Sequence, residues 1–289
     1  MTDLAAQTIG SVTSADGTRI GYRRFGKGPG LVLVHGSMMA SQNFTRLAAA
    51  LADTFTIVVP DRRGRGMSGP FGADYGVASE VEDLRALLDA TGSQDAFGLS
   101  SGALIVLESA RQLPGLRRVA LYEPPLSFVD SRSTDWVPRY DREMGAGHIA
   151  SAFVTIAKGT TDPGPMQWLP RFVLVPALRL ALLASGRETP DGDVAIADLI
   201  PTAHYDARLV LELADSLDRY RSVPVPVLLL RGARSRRYLQ VACDRLAGVL
   251  PDVRSVEFPM VGHLAADNDG KPELVATELR DFFSSPSAA

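Results

Sequence analysis

The chain has 289 residues, 46% hydrophobic and 22% charged, with a formal net charge of -3 at pH 7. That balance is ordinary for a folded globular protein, and it supplies neither the basic footprint that nucleic acid requires nor a strong acidic field. A lone cysteine, Cys243, excludes an internal disulfide, and no apolar run approaches the length that crosses a membrane.

In chain order, Thr18–Phe25 follows the turn residues Ala15-Asp16-Gly17 and predicts a hairpin. Leu31-Val32-Leu33-Val34 is a continuous apolar run of the kind buried on both faces of a sheet. Phe44, Leu47, Ala48 and Leu51 share one helical face, Phe55–Val59 repeats the strand pattern, and Val77, Val81, Leu84 and Leu88 mark a second helix. Asp95-Ala96-Phe97 reads as a strand end, Ala103–Ala110 as a buried helix, and Arg117–Tyr122 as a further strand. Strands recur at Val227–Leu230 and Arg254–Phe258. Cys243 lies in a helical pattern between them as a small core side chain, and Pro272 opens a last helix carrying Leu274, Leu279 and Phe282. Strands alternating with helices predict an α/β fold built on a doubly wound, mostly parallel sheet.

The alternation stops between Glu123 and Arg221, where helical patterns (Phe172–Ala184; Leu209, Val210, Leu213, Leu217 and Tyr220) and prolines replace strands. The expected organisation is therefore a core of 1–123 and 222–289, interrupted by a helical cap insertion over 124–221. Such a cap would lie over the carboxyl ends of the strands, where ligands bind in open α/β sheets. Trp136, Met144, Met166 and Trp168 are candidates to line a substrate pocket, the alternative being that they pack the cap's own core. Phe172–Val175 and Leu178–Leu183 hold more apolar residues than one helical face needs, so part of that surface is also expected to face the pocket. The Ser284–Ala289 tail is expected to fray.

Gly98-Leu99-Ser100-Ser101-Gly102 lies between a strand pattern and a helix pattern. In that context a serine hydroxyl is presented on a strained turn, which makes Ser100 the candidate nucleophile. A serine needs a base, and the base needs an acid to hold its tautomer. Of four histidines, His263 follows the last strand with Gly262 beside it and fits the base. His148 and His204 fall in the cap with surface or packing roles, and His35 is expected to be structural. An oxyanion needs two preorganised amides. Ser101 N–H, opening the helix, and Ser37 N–H in His35-Gly36-Ser37-Met38 supply them, with Met38 beside the substrate.

Taken together, His35-Gly36, Asp61–Gly69, Gly98–Gly102 and Gly262-His263 resemble an α/β-hydrolase-fold serine hydrolase over nearly the whole length outside the cap. The resemblance implies Ser100 as nucleophile, His263 as base and the Ser37 and Ser101 amides as oxyanion hole. It makes Asp61–Gly69, despite three arginines, a structural loop and not an anion site. The chain departs from the pattern at the acid, because Ser235 stands where aspartate is customary and Asp244 lies inside the following helix. A known variation of the fold places the acid one strand after the nucleophile strand, which is Glu123 in Leu121-Tyr122-Glu123-Pro124-Pro125. That placement, with Ser-Ser-Gly-Ala at the turn, resembles some lactone hydrolases. The implied function is hydrolysis of an ester, lactone or thioester of a largely apolar small molecule through an acyl-enzyme, with no cofactor and no metal. The scaffold also hosts carbon–carbon bond hydrolases, lyases, cyclases and ligand-binding proteins with a vestigial triad. Dehalogenases and epoxide hydrolases are disfavoured, since they would need a carboxylate at position 100. The expected partner is a small-molecule substrate, with no nucleic acid and no membrane; a homodimer stays open. The N-terminus Met1-Thr2-Asp3-Leu4-Ala5 lacks a basic stretch followed by an apolar one, so a cytoplasmic location is expected.

Overall fold

The first two strands form the expected hairpin: β1 (Thr8–Thr13) pairs antiparallel with β2 (Arg19–Phe25). Gly17 takes φ 84° in the turn, and Asp16 accepts the Thr18 N–H at 2.9 Å. This computed structural model describes residues 7–128, 134–160, 162, 164–184, 189–190 and 192–285, without the side chains of Pro165 and Met166. Next come β3 (Gly30–Val34), α1 (Thr45–Leu51), β4 (Thr56–Pro60), α2 (Val77–Thr91), β5 (Asp95–Leu99), α3 (Ser101–Gln112) and β6 (Arg118–Tyr122). The stretch after β6 folds into α4 (Val137–Gly145), α5 (Ile149–Thr160), α6 (Pro165–Trp168), α7 (Arg171–Ala184), α8 (Ile196–Leu199) and α9 (Ala203–Glu212). The chain then returns to the sheet with β7 (Val227–Gly232), α10 (Arg237–Ala247), β8 (Val253–Phe258) and α11 (Pro272–Ser284).

The strands form one eight-stranded sheet in the order β1-β2-β4-β3-β5-β6-β7-β8, antiparallel at β1, β2 and β4 and parallel from β4 through β8. Alternate side chains of a strand point to opposite faces, so a continuous apolar run feeds two cores at once. Leu31 and Leu33 join Ala120, Tyr122, Leu228 and Leu230 under α1 and α11, while Val32 and Val34 join Val119, Leu121, Val227 and Leu229 under α2, α3 and α10. This is the doubly wound α/β architecture the sequence implies. Cys243 is buried on α10 in the second of these cores.

Among the described residues, 124–226 contribute no strand. Tyr140, Ala152, Ile156, Ile200 and Ala203 form a small core within this segment, and Leu209, Val210 and Leu213 pack into the main core beside α3. The apolar pattern from Leu209 to Tyr220, which reads as one helix, is split. Helix α9 ends at Glu212, Asp215 takes φ 54°, and Leu217–Ser222 forms a separate 3-10 helix. Among the described residues no helix is long and apolar enough to cross a membrane.

Candidate active site

Strand β5 gives way to α3 at one residue, Ser100, which holds φ 57° and ψ -123°. An L residue occupies that region only where its surroundings impose it. A β-carbon on Gly98 would lie 2.4 Å from the Gly102 carbonyl oxygen, and one on Gly102 would lie 2.3 Å from that of Val34. Glycine at both positions is what lets strand, helix and β3 close on the turn. Ser100 is half-buried, and its backbone N–H donates to the Tyr122 carbonyl at 2.9 Å, so the turn is pinned to β6.

At the end of β6, Glu123 is fully buried and adopts φ 47°. Its Oε1 accepts the Gly232 N–H of β7 at 2.7 Å, and its Oε2 accepts the His263 Nδ1–H at 2.6 Å. With Nδ1 committed as donor, Nε2 is the free basic nitrogen of neutral His263. The Tyr122 hydroxyl donates to the Gly262 carbonyl at 2.8 Å and steadies the loop from the strand beneath. The structure thus brings Glu123 and His263 together. Ser235 is buried nearby, and Asp244, 66% exposed, pairs with Arg231 at 2.5 Å.

Ser100 and His263 both line a cavity of about 500 Å³, together with Ser37 and Ser101. Gly36 abuts the turn, since a β-carbon there would sit 3.1 Å from Ser100 Cβ. Ser101 opens α3, so its N–H carries the positive end of the helix dipole. Its hydroxyl, by contrast, is committed: it donates to Asp206 Oδ1 at 2.8 Å and accepts from Arg62 Nη1 at 3.2 Å. Of the two adjacent serines, Ser101 is the one locked in a buried network.

The helical segment contributes Trp136, Phe153, Ile156 and Val210 to the cavity wall, which Met38 and Leu99 also line. Trp136 also meets the Tyr140 ring edge-on at 5.5 Å. Trp168 does not line the cavity; it ends the one-turn helix α6 and is 87% exposed. Met144 packs on the small core around Tyr140, and no described residue of α7 reaches the cavity. The surplus apolar face of α7 points to solvent, contrary to the expectation of a pocket wall. The Met166 side chain lies outside the described part of the structure. His148 and His204 are exposed, the latter bonded to Asp141 at 2.9 Å.

Two carboxylates at the site escape sequence reasoning. Asp206 on α9 pairs with Arg62 at 2.7 Å and Arg65 at 2.5 Å; Arg62 also pairs with Glu80 at 2.7 Å. Burial alone would raise the Asp206 carboxyl, but the charges of Arg65 and Arg62 prevail and hold it at about 2. Arg63 pairs with Asp83 and Asp16, so each arginine of the Asp61–Gly69 stretch has a carboxylate partner. Asp162 accepts the His263 backbone N–H at 2.7 Å, and burial pushes its carboxyl up. His35 is fully buried, with Nδ1–H donating to the Gly36 carbonyl at 3.0 Å and Nε2 accepting the Arg62 N–H at 3.3 Å. Burial, reinforced by Arg65 and Arg62, holds His35 well below the ordinary 6.5. Among the described residues no three histidine, cysteine, aspartate or glutamate side chains converge as a metal-holding group.

A family model described as the alpha/beta hydrolase family matches residues 31–278. The 2-(acetamidomethylene)succinate hydrolase of Mesorhizobium japonicum is 24% identical over 266 residues, 91% of each chain. The N-formylmaleamate deformylase of Pseudomonas putida is 39% identical over 130 residues, 43% of this chain and 48% of its own. Among solved structures, an alpha/beta hydrolase from Sphaerobacter thermophilus is similar with a TM-score of 0.76 at 29% identity, covering 95% of this chain and 100% of its own.

Proposed function

The chain belongs to the alpha/beta hydrolase family, and from that premise we propose that it is a serine hydrolase cleaving an ester or lactone of a neutral, largely apolar small molecule. Ser100 Oγ attacks the substrate carbonyl as His263 Nε2 takes its proton, and the Ser37 and Ser101 amides receive the charge that develops on the carbonyl oxygen. His263 then gives that proton to the departing oxygen, and water repeats the sequence on the acyl-enzyme. Glu123 orients His263 and stabilises its protonated form. The observation that carries this reading is the 2.6 Å His263–Glu123 contact on the wall of the cavity that Ser100 also lines.

The substrate class follows from the charges of the wall. Among the described residues lining the cavity there is no lysine or arginine, whereas Asp206, Asp267 and Asp269 are present. Asp206 is neutralised by its arginines, but a polyanionic substrate would find no cation to replace its hydration. The segment 124–221 acts in this proposal as a cap that shapes the apolar wall through Trp136, Phe153 and Ile156.

The names of the two relatives favour a second reading, in which the acyl group is removed from nitrogen. A panel of neutral esters and lactones, matched N-acyl amides and succinate-derived anions separates the two by kcat/KM. The proposal expects neutral esters or lactones to lead by at least roughly tenfold, a difference of about 1.4 kcal/mol in transition-state binding. Leadership by an anionic N-acyl substrate would replace it with the second reading.

A further inference from the structure

A helix with apolar side chains all round is ordinarily buried all round. Successive residues of a helix advance by about 100°, so α7 carries Leu174, Val175, Leu178 and Leu182 on one side and Phe172, Val173, Pro176, Leu180 and Leu183 on the other. The first set is half-buried, with Leu182 on the small core around Tyr140, and Arg171 on that side reaches Glu143 at 2.7 Å. The second set faces solvent within an arc of about 100°, as wide as the stripe by which a helix normally meets a core. Phe172 is 79% exposed, Leu180 69% and Leu183 73%, and Trp168 and Leu169 just before the helix extend the patch.

These side chains, with Val173, expose roughly 700 Å² of apolar surface, given that a whole aromatic side chain presents about 200 Å². Single-chain proteins rarely leave more than roughly 300–600 Å² in one patch, and a standard interface covers about 800 Å² on each partner. Between 163 and 184 the chain has no acidic residue and two arginines, so the patch offers little charge for a complementary partner of another kind.

We propose that this face of α7 is the contact through which two copies of the chain pair about a two-fold axis. A two-fold contact uses one patch twice, which suits a surface whose only complement is its own apolarity. A membrane-surface helix would instead present a face rich in lysine and arginine opposite its apolar stripe. The opposite face of α7 is leucine and valine packed on protein, and the net charge of -3 gives no attraction to anionic lipid.

Sedimentation velocity of the full chain at micromolar concentration tests this, with Phe172→Glu/Leu180→Glu as the variant. Neither residue lines the cavity, so the catalytic machinery is untouched. The wild type sediments as a dimer, while the variant sediments as a monomer with unchanged circular dichroism. Should the variant fail to fold, amide exchange of the wild type reads the same contact: peptides across 168–184 lose protection when the dimer is diluted to monomer. A wild type monomeric throughout, a dimer that persists in the folded variant, or exchange unchanged at 168–184 overturns the proposal. So does a monomeric wild type that floats with phosphatidylcholine–phosphatidylglycerol vesicles and is released by the substitutions.

Discussion

Both carboxylate oxygens of Glu123 are engaged, one by the end of β7 and one by His263, in a residue held at positive φ and closed to solvent. Glu123→Gln keeps the shape but removes the charge opposite an imidazolium, and it is expected to lower kcat by roughly 10² to 10⁴ with thermal unfolding nearly unchanged. A fall of less than tenfold in steady-state kinetics would remove Glu123 from the mechanism. The position was legible because Ser235 leaves the customary place without a carboxylate and Glu123-Pro124-Pro125 closes the next suitable strand. Asp162 and Asp206 were not legible, since their partners His263 and Ser101 lie 101 and 105 residues away in a segment with no strand to fix their direction. His35 supplies a pH test at the same scale. Its folded-state proton affinity is depressed by burial and by Arg65 and Arg62, so below its ordinary 6.5 the unfolded chain binds a proton that the folded chain refuses. Stability conferred by neutral His35 is thus present above about pH 6.5 and declines below it at up to about 1.4 kcal/mol per unit. In urea titrations the stability difference between wild type and His35→Gln should shrink with that slope from pH 6.5 to 5; a difference independent of pH contradicts the assignment.

Helix α9 is fastened to the turn after Ser100 by one side chain. Asp206 meets Arg62 and Arg65 from the loop after β4 and the hydroxyl of Ser101 at the start of α3, all buried. Its carboxyl is held at about 2, so the stability it confers is fully present above the ordinary carboxylate range and is lost only as pH falls through about 2. Asp206→Asn leaves Arg65 without its counter-charge, and breaking a buried pair this way costs about 3–5 kcal/mol. Denaturant unfolding at pH 7 should show that loss, and a change below about 1 kcal/mol would mean the charges are screened. The sheet was legible element by element because its inner strands β3, β4, β6 and β7 are apolar runs feeding two cores, whereas the edge strand β8 carries exposed Arg254, Ser255 and Glu257. The helical segment was legible only as helical. Its apolar residues divide among a small core, the cavity and solvent, and periodicity alone does not say which face of α7 meets which.

For the whole molecule, the sheet order gathers the ends of β3, β5 and β6 and the loop after β8, so Gly36, Ser100 and His263, scattered along the chain, line one cavity and Glu123 reaches it through His263. The fold and the neighbourhood of Ser100 were readable from motifs. The charge of the wall was not, because Asp206, Asp267 and Asp269 gain their meaning only when the chain closes around the cavity. Covalent catalysis by Ser100 is tested by labelling with a fluorophosphonate probe followed by intact mass and peptide mapping. One probe per chain is expected, on the peptide containing Ser100, abolished by Ser100→Ala and retained by Ser101→Ala. Label on Ser101, label that survives Ser100→Ala, or a folded wild type that takes up no probe would contradict it.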